Sequence, residues 1–560
     1  MSTSSGVLND QRGRLIIDRL VQNGVSTFLV APGSRCTPLV LAVGERDDVE
    51  AIVHFDERGL AFYGLGMAKA SGKPVAIICT SGTAIANLYP AIVEASLDHV
   101  PMIFLCADRP FELRDCGANQ TIDQVKMFGD YLRFECDLPC ADGMTPDSAV
   151  ASSIDHAYYA STALRGPVVL NCMFREPLFS STPSSKVPMP RERHYHQSIK
   201  MLPKEVLEEL GERLSKVEKG VIVVGNLPYS PYLNSILVLA EKLQWPVFAD
   251  PLSHVRCFGE HPCLIPYYNT FLPESPPDVE VVLHFGGQIV SKTLNNWLGS
   301  SSVRDYIHVT EFRERNDPFQ RVTERVEMTP HLFCSHLPVE PTSKKEYLTL
   351  YQEKSISIKK MLEEEFNALE TLLEPLAIFS LASEVDSETT LFFGNSLSIR
   401  YADSFFFPKR GCGPIFGNRG VSGIDGNIAT IGGIAKASKK PLLGVIGDYT
   451  FLHDVNSLAL LQDDEIAVQL IVLNNQGGAI FKYLPIASSP HLDRFFVSKH
   501  DLKIEPFAKA FNLPYSLVTS LENLEGATKI VEIASNSDEN YLFMQSLKEK
   551  ASCSTFAKSR

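Results

Sequence analysis

Strand-length apolar runs separated by helix-length amphipathic segments recur along the whole chain, and their spacing predicts an α/β protein. In a first block, about residues 1 to 185, the runs Thr27-Phe28-Leu29-Val30, Ala51-Ile52-Val53-His54, Val75-Ala76-Ile77-Ile78, Met102-Ile103-Phe104-Leu105 and Val168-Val169-Leu170 read as strands. Alternation with helices makes this a doubly wound pattern. The Ser-, Pro- and base-rich stretch Ser180 to Lys200 reads as a linker. A middle block follows, with Gly220-Val221-Ile222-Val223-Val224-Gly225, Val281-Val282-Leu283-His284-Phe285 and Tyr306-Ile307-His308-Val309 as strands. Its glycine strand ends lack a GxGxxG fingerprint, so they read as structural turns. A polar helical stretch from Lys344 to Leu369 leads into a last block, which shares the α/β rhythm of the first. The expected organisation is three doubly wound parallel-sheet domains over residues 1–185, 201–335 and 370–560, the number natural for 560 residues.

Composition narrows the class. Hydrophobic residues make up 44% and charged residues 21%, ordinary globular values. A net charge of -14, with no Lys/Arg block, argues against nucleic acid or an anionic membrane as a partner. Any anionic ligand must be met by local cations. The start has no signal-peptide pattern and no segment approaches eighteen uninterrupted apolar residues, so a cytoplasmic protein is expected. The 12 cysteines are scattered, without CxxC or zinc spacing, and read as reduced core thiols.

The last block carries the most specific chemistry. Asp448 closes the run Leu442 to Ile446 after Gly447, and Asn475 closes a second run, Ala467 to Leu473, with a helix-like segment through Leu458, Leu460 and Leu461 between them. In a parallel strand–helix–strand unit both polar residues emerge at one edge of the sheet. Asp448, the Asn475 amide oxygen and the Gly477 carbonyl supply half an octahedral shell, which diphosphate oxygens and water complete around Mg²⁺. An ordinary βα turn explains Gly-Asp alone; Asn474-Asn475-Gln476-Gly477-Gly478 at the next strand end shifts the balance towards a metal site.

A second site centres on Glu57 in His54-Phe55-Asp56-Glu57-Arg58-Gly59. Such an acidic turn is by itself more often a solvated loop. Its neighbours Ala31 through Leu39, Thr80-Ser81-Gly82-Thr83-Ala84 and Ala107-Asp108-Arg109-Pro110 also occupy strand ends, and would line one rim of one sheet, where open α/β folds place ligands.

With these strings on the page, the chain resembles the thiamine diphosphate enzymes and, within them, the carboligase family of menaquinone biosynthesis. The resemblance spans most of the chain. Beyond the strings above it rests on Thr80 through Asn87, Gly117-Ala118-Asn119-Gln120, Ile122-Asp123-Gln124, Gly394-Asn395-Ser396-Leu397, Asn418-Arg419-Gly420, Ser422-Gly423-Ile424-Asp425-Gly426 and Ile480-Phe481. Gly-Asp with Asn-Asn marks only the superfamily; the Arg-containing strings mark the subfamily.

The resemblance implies a pyrimidine-binding domain (1–185), a central Rossmann-like domain (201–335) and a diphosphate-binding domain (370–560), in a homodimer or homotetramer with active sites shared between subunits. It implies thiamine diphosphate with Mg²⁺ or Mn²⁺, the metal on Asp448, Asn475 and Gly477. Thr80, Gly82, Ile424 and Phe481 join them on the cofactor. Glu57 aligns with the catalytic glutamate that hydrogen-bonds the aminopyrimidine, a role favoured by partial burial. The cofactor supplies the hard chemistry: decarboxylation of 2-oxoglutarate, then addition of the succinyl carbanion equivalent to isochorismate.

Both substrates are dicarboxylates, which paired guanidinium hydrogen bonds suit. By resemblance Ser34, Arg35, Arg109, Asn119, Gln120, Lys292 and Ser396 fall on the isochorismate side, and Arg400 and Arg419 on the 2-oxoglutarate side. Arg58 is expected in a surface ion pair. There are departures from the family pattern. Cys36 replaces a more usual Ser and adds an oxidation liability, Tyr449 follows Gly-Asp where smaller residues are usual and would reshape the pocket, and Thr293 stands where some relatives have a second base. Phe495-Phe496 suits an aromatic lid or the core equally. Other classes remain: another thiamine diphosphate lyase or carboligase, a Rossmann-type oxidoreductase, for which only the isolated Gly64-Leu65-Gly66 speaks, and a noncatalytic ligand-binding protein retaining the fold.

Overall fold

The computed structural model describes residues 4–181, 188–273, 277–301, 303–463, 465–518 and 529–556. Their contacts divide the chain into two compact units. One comprises Met1–Gln197, Asn418–Lys439 and Thr450–Val468; the other comprises Ser198–Gly417, Lys440–Tyr449 and Gln469–Arg560.

The first unit is built on a six-stranded sheet of β1 (Thr27–Val30), β2 (Glu50–Val53), β3 (Val75–Cys79), β4 (Met102–Asp108), β5 (Phe134–Leu138) and β6 (Pro167–Met173). The order is β2-β1-β3-β4-β6-β5, with parallel pairing throughout. Strands β3, β4 and β6 are buried at every residue, which is why they read as unbroken apolar runs. The apolar pattern does not single out β5, because it is an edge strand whose Glu135 and Asp137 alternate with apolar residues.

Two helices of this unit, Glu57–Ser71 and Asn427–Ser438, make a close crossing. A Cβ on Gly66 would stand 2.1 Å from the Thr430 carbonyl oxygen, and one on Gly433 would stand 2.0 Å from that of Tyr63. Only glycine permits that approach. The linker stretch has no regular structure where described, and Arg19 and Asp155 tie it down through Arg191 O (3.2 Å) and Arg193 (3.2 Å). Its residues 182–187 lie outside the described set.

The second unit holds two parallel sheets. The middle one contains β7 (Gly220–Val224), β8 (Val247–Ala249), β9 (Val281–Phe285), β10 (Asp305–Val309) and β11 (Glu324–Val326), in the order β11-β10-β9-β7-β8. The two strands that the pattern leaves unnamed, β8 and β11, are three-residue edge strands, too short to show a period. The polar helix appears as Glu346–Asn367. The last sheet contains β12 (Thr390–Phe393), β13 (Ile415–Phe416), β14 (Leu442–Gly447), β15 (Val468–Asn474), β16 (Tyr515–Val518) and β17 (Ile530–Ala534). Its order, β13-β12-β14-β15-β17-β16, repeats that of the first sheet strand for strand.

Between β14 and β15 the chain forms an α-helix at Asp448–His453 and a 3₁₀ turn at Val455–Leu461, rather than one helix through Leu458 to Leu461. Asp448 therefore sits at a strand end and a helix start at once.

A buried ion pair fixes the helix Leu397–Phe405 within the second unit. Arg256, 1% exposed, pairs with Asp403 at 3.0 Å and donates to the carbonyls of Ala249, Ala402 and Phe406. Tyr268 donates to the same carboxylate at 2.9 Å. Eleven cysteines among the described residues are free thiols. Most are buried as expected, but Cys116 is exposed. Cys36 is no oxidation liability: it is fully buried, its thiol donates to Gly33 O, and burial pushes its pKa up to about 11, which suppresses the reactive thiolate. Among the described residues, no helix is long and apolar enough to cross a membrane.

Candidate active site

In both six-stranded sheets the order reverses between the first and third strands, and that is the switch point where open α/β sheets bind ligands. In the second unit the adjoining strand ends present Gly394-Asn395-Ser396, Gly447-Asp448 and Asn474 to Gly478. Asp448 is 2% exposed, and its two oxygens accept from Tyr449 N (2.7 Å) and Gly477 N (2.8 Å). Burial raises its pKa, an effect opposed by these amides and by His500, whose Nε2 lies 3.3 Å away.

The two adjacent asparagines have different work. Asn474 donates to Glu532 at 2.7 Å and accepts from Gln476 N, which folds the turn. Asn475 donates its Nδ2 to Glu374 at 2.9 Å, leaving its Oδ1 buried with no hydrogen-bond partner. Gly477 has φ +152°, and a Cβ there would lie 2.5 Å from Val497 O, so the turn requires glycine. A buried carboxylate and an orphaned amide oxygen are the donor set a hard divalent cation takes. Among the described residues no cluster of three His, Cys, Asp or Glu side chains forms a metal site, and this mixed shell is not of that type. The residues therefore fit the ion that the sequence implies.

Nothing in the sequence marks two neighbours of this loop. Glu374 lies about 100 positions upstream at the start of the helix Glu374–Glu384, fully buried, with its pKa pushed up to about 7 by burial. His500 follows the π-helical turn Asp493–Val497. Tyr449 bridges to the same turn, its hydroxyl donating to the carbonyls of Val497 (3.3 Å) and Ser498. Phe495 is 62% exposed, while Phe496 is half-buried and packs on Phe481 with ring centroids 5.4 Å apart.

Ser396 precedes the helix Leu397–Phe405 with φ +71°, a conformation that costs a non-glycine residue about 1–3 kcal/mol and clusters at functional sites. Arg400 is exposed one turn later and donates to Ser396 O at 2.5 Å. Lys292 is the exposed first residue of the helix Lys292–Ser300, which Ser291 caps through Leu294 N. A lysine beside the positive end of a helix dipole favours an anion.

In the first unit, Glu57 opens the helix Glu57–Ser71, half-buried, with Asp56 as cap and Asn87 Nδ2 donating to its Oε2 at 3.2 Å. Arg58 departs from a simple surface pair: its partner is the fully buried Asp454, at 3.7 Å, and it also donates to His453 O. Thr80 is buried against Gly33, where a Cβ would lie 2.4 Å from that of Thr80. Gly82, at φ +81°, donates its N–H to Gln124.

Arg35 and Arg109 are both buried. Arg109 donates to Ser81 Oγ and to Gln120 O (2.7 Å), while Gln120 Nε2 returns a bond to Ser81 O at 3.0 Å. Arg35 donates to Phe174 O (3.0 Å) and to the largely exposed Glu176 (2.7 Å). Burial and, secondly, the nearby Arg35 charge lower the Arg109 pKa. The two guanidiniums are thus near enough for each charge to bear on the other. Asn119 is exposed beside them, and Ser34 begins the 3₁₀ turn that carries Arg35.

Arg419 is half-buried in a loop held by Glu94, whose buried carboxylate accepts from Gly420 N (2.9 Å) and Val421 N (2.8 Å) beside Lys69. Ile424 is half-buried on the same loop. Sequence reasoning missed Glu94 and Lys69, which lie inside helices with nothing to distinguish them from surface charges.

Residues 11–127 match the model of the thiamine pyrophosphate enzyme N-terminal TPP binding domain, and residues 192–393 that of the middle domain of thiamine pyrophosphate enzymes. The fold is also that of benzoylformate decarboxylase from Polynucleobacter necessarius, with a TM-score of 0.72 over 94% of this chain and 98% of that one at 15% identity. Sheets, strand-end loops and family models together define a thiamine diphosphate-dependent enzyme. Within that class, the chain is 37% identical over 540 residues to a 2-succinyl-5-enolpyruvyl-6-hydroxy-3-cyclohexene-1-carboxylate synthase of Salinibacter ruber, covering 92% of this chain and 90% of the relative. The synthase of the same name from Shewanella frigidimarina is 36% identical, over 94% of this chain and 93% of its own. This chain belongs to the family of 2-succinyl-5-enolpyruvyl-6-hydroxy-3-cyclohexene-1-carboxylate synthases.

Proposed function

We propose that this enzyme decarboxylates 2-oxoglutarate and joins the remaining succinyl unit to isochorismate, releasing CO₂ and 2-succinyl-5-enolpyruvyl-6-hydroxy-3-cyclohexene-1-carboxylate for menaquinone biosynthesis. The observation that carries this reading is the near full-length similarity to synthases of that name. Thiamine diphosphate, when bound, supplies the nucleophilic carbon and the electron sink. Asp448, Asn475 and Gly477 would hold Mg²⁺ or Mn²⁺ for its diphosphate, and Thr80, Gly82, Ile424 and Phe481 would contact the cofactor.

Glu57 is the catalytic acid–base group. Asn87 holds its Oε2, so Oε1 would be the oxygen to hold a proton towards a pyrimidine nitrogen once the cofactor is bound. Arg35 and Arg109, with Ser34, Asn119, Gln120, Lys292 and Ser396, orient the carboxylates of isochorismate; Arg400 and Arg419 receive 2-oxoglutarate. Buried guanidiniums already fixed by backbone carbonyls need little reordering to meet a carboxylate. The domain roles follow the spans 1–185 (pyrimidine), 201–335 (central) and 370–560 (diphosphate), in a cytoplasmic homodimer or homotetramer.

Loss of isochorismate absorbance, followed with 2-oxoglutarate, thiamine diphosphate and Mg²⁺ and then with each omitted, tests the reading. Consumption should require all three. Turnover of pyruvate or 2-oxobutanoate as well as 2-oxoglutarate would instead favour another carboligase of the class.

A further inference from the structure

A divalent cation at the β15 end can use only the oxygen of the Asn475 amide, yet an amide turned by half a rotation would present its NH₂ there instead. Something must choose. Glu374 Oε1 lies 2.9 Å from Asn475 Nδ2 and also accepts the Ser535 hydroxyl at 2.7 Å. The carboxyl is itself held in place: Glu374 N donates to Asn540 Oδ1 (3.1 Å), Asn540 Nδ2 donates to Ser535 Oγ (3.2 Å), and Ser535 N donates to Asn474 O (3.0 Å). With Oε1 facing it, the Asn475 oxygen would meet another oxygen if the amide were reversed. In the observed orientation the Oδ1 turns away from Glu374, buried and unpartnered.

We propose that Glu374 is a positioning residue for the metal site: through the Asn475 Nδ2 hydrogen bond it selects the amide orientation that gives Oδ1 to the cation. The proposal rests on the metal role given above to Asp448, Asn475 and Gly477. Partners of this kind behind a ligand usually change metal affinity about 10- to 100-fold when removed.

The test uses the full-length chain, with calorimetry of thiamine diphosphate binding over a Mg²⁺ series and thermal unfolding without metal. Glu374→Leu should raise the Mg²⁺ concentration for half-saturation about 10- to 100-fold. A purely structural role would lower the unfolding temperature and leave that Mg²⁺ dependence where it was. A reversed pair gives a second arm that is independent of how well Glu374→Leu folds. Asn475→Asp alone sets two carboxyls 2.9 Å apart and should bind Mg²⁺ poorly. Adding Glu374→Gln lets an amide donate to one carboxylate oxygen and leaves the other for the metal, so the double variant should bind Mg²⁺ more tightly than Asn475→Asp alone.

Wild-type Mg²⁺ dependence in folded Glu374→Leu, or a double variant no tighter than Asn475→Asp, overturns the inference while leaving the metal site standing. If the unaltered chain binds thiamine diphosphate without any divalent dependence, the metal site and the inference fall together.

Discussion

Replacement of Asp448 separates what the carboxylate does for the fold from what it does for the cofactor. The residue is 2% exposed and accepts two backbone N–H groups, from Tyr449 and Gly477. Asp448→Ala orphans both, at about 1–3 kcal/mol each, so roughly 2–6 kcal/mol of stability should go with it. Asp448→Asn keeps the shape and one of the two acceptor oxygens, loses the charge, and turns an NH₂ towards one of the two N–H donors. Removing one member of a buried charge pair costs about 2–5 kcal/mol, which corresponds to a roughly 30-fold to several-thousand-fold loss of affinity. Calorimetry with thiamine diphosphate in saturating Mg²⁺ reads the second quantity, and urea unfolding of the cofactor-free protein reads the first. The expected result is an Asn variant that loses about 1–3 kcal/mol of stability for the one N–H it orphans and binds the cofactor at least about 30-fold more weakly. Wild-type cofactor affinity in Asp448→Asn would refute the assignment of the strand-end loop.

Glu57→Gln should retain cofactor binding and lose about 10²- to 10⁴-fold in kcat, the usual contribution of a proton-transfer group; hydrogen–deuterium exchange at the thiazolium carbon at the wild-type rate would remove Glu57 from the mechanism. Arg400→Ala and Arg419→Ala, made separately, should each lower kcat/KM for 2-oxoglutarate more than for pyruvate or 2-oxobutanoate, which lack the distal carboxylate; equal losses on all donors would assign the two residues to the fold. Buried Asp454 accepts from Ala429 N and Ser457 Oγ, and burial raises its pKa from 3.8 to about 6. A carboxyl that holds its proton more tightly when folded contributes stability that is complete below the unfolded pKa and is lost as pH rises through the folded one, here between about pH 4 and 6, by at most about 3 kcal/mol. The urea-unfolding margin of wild type over Asp454→Asn should therefore shrink across that window, and a constant or growing margin would contradict the argument.

Strands buried on both faces were legible as unbroken apolar runs in β3, β4 and β9, although the equally buried β12 went unnamed. Edge strands were not legible where they are short or half-exposed, as in β5, β8 and β11. The loop proposed to hold the metal was legible because its polar residues are contiguous with strand ends. Its supports were not. Glu374 reaches Asn475 across 101 positions, and Glu94 holds the Arg419 loop across more than 300, so no local pattern connects them. Cys36 shows the converse limit: the residue type implied reactivity, and only its burial removes it.

The central claim is a carbon–carbon bond made with loss of one specific carboxylate. The direct measurement is a turnover with isochorismate and two samples of 2-oxoglutarate, one carrying a carbon label in the carboxylate beside the ketone and one in the distal carboxylate. The account predicts that the first label leaves entirely as CO₂. The second should stay in the product, one succinyl unit for each isochorismate consumed. Label from the first sample retained in the product, or CO₂ released with isochorismate left unchanged, would contradict it.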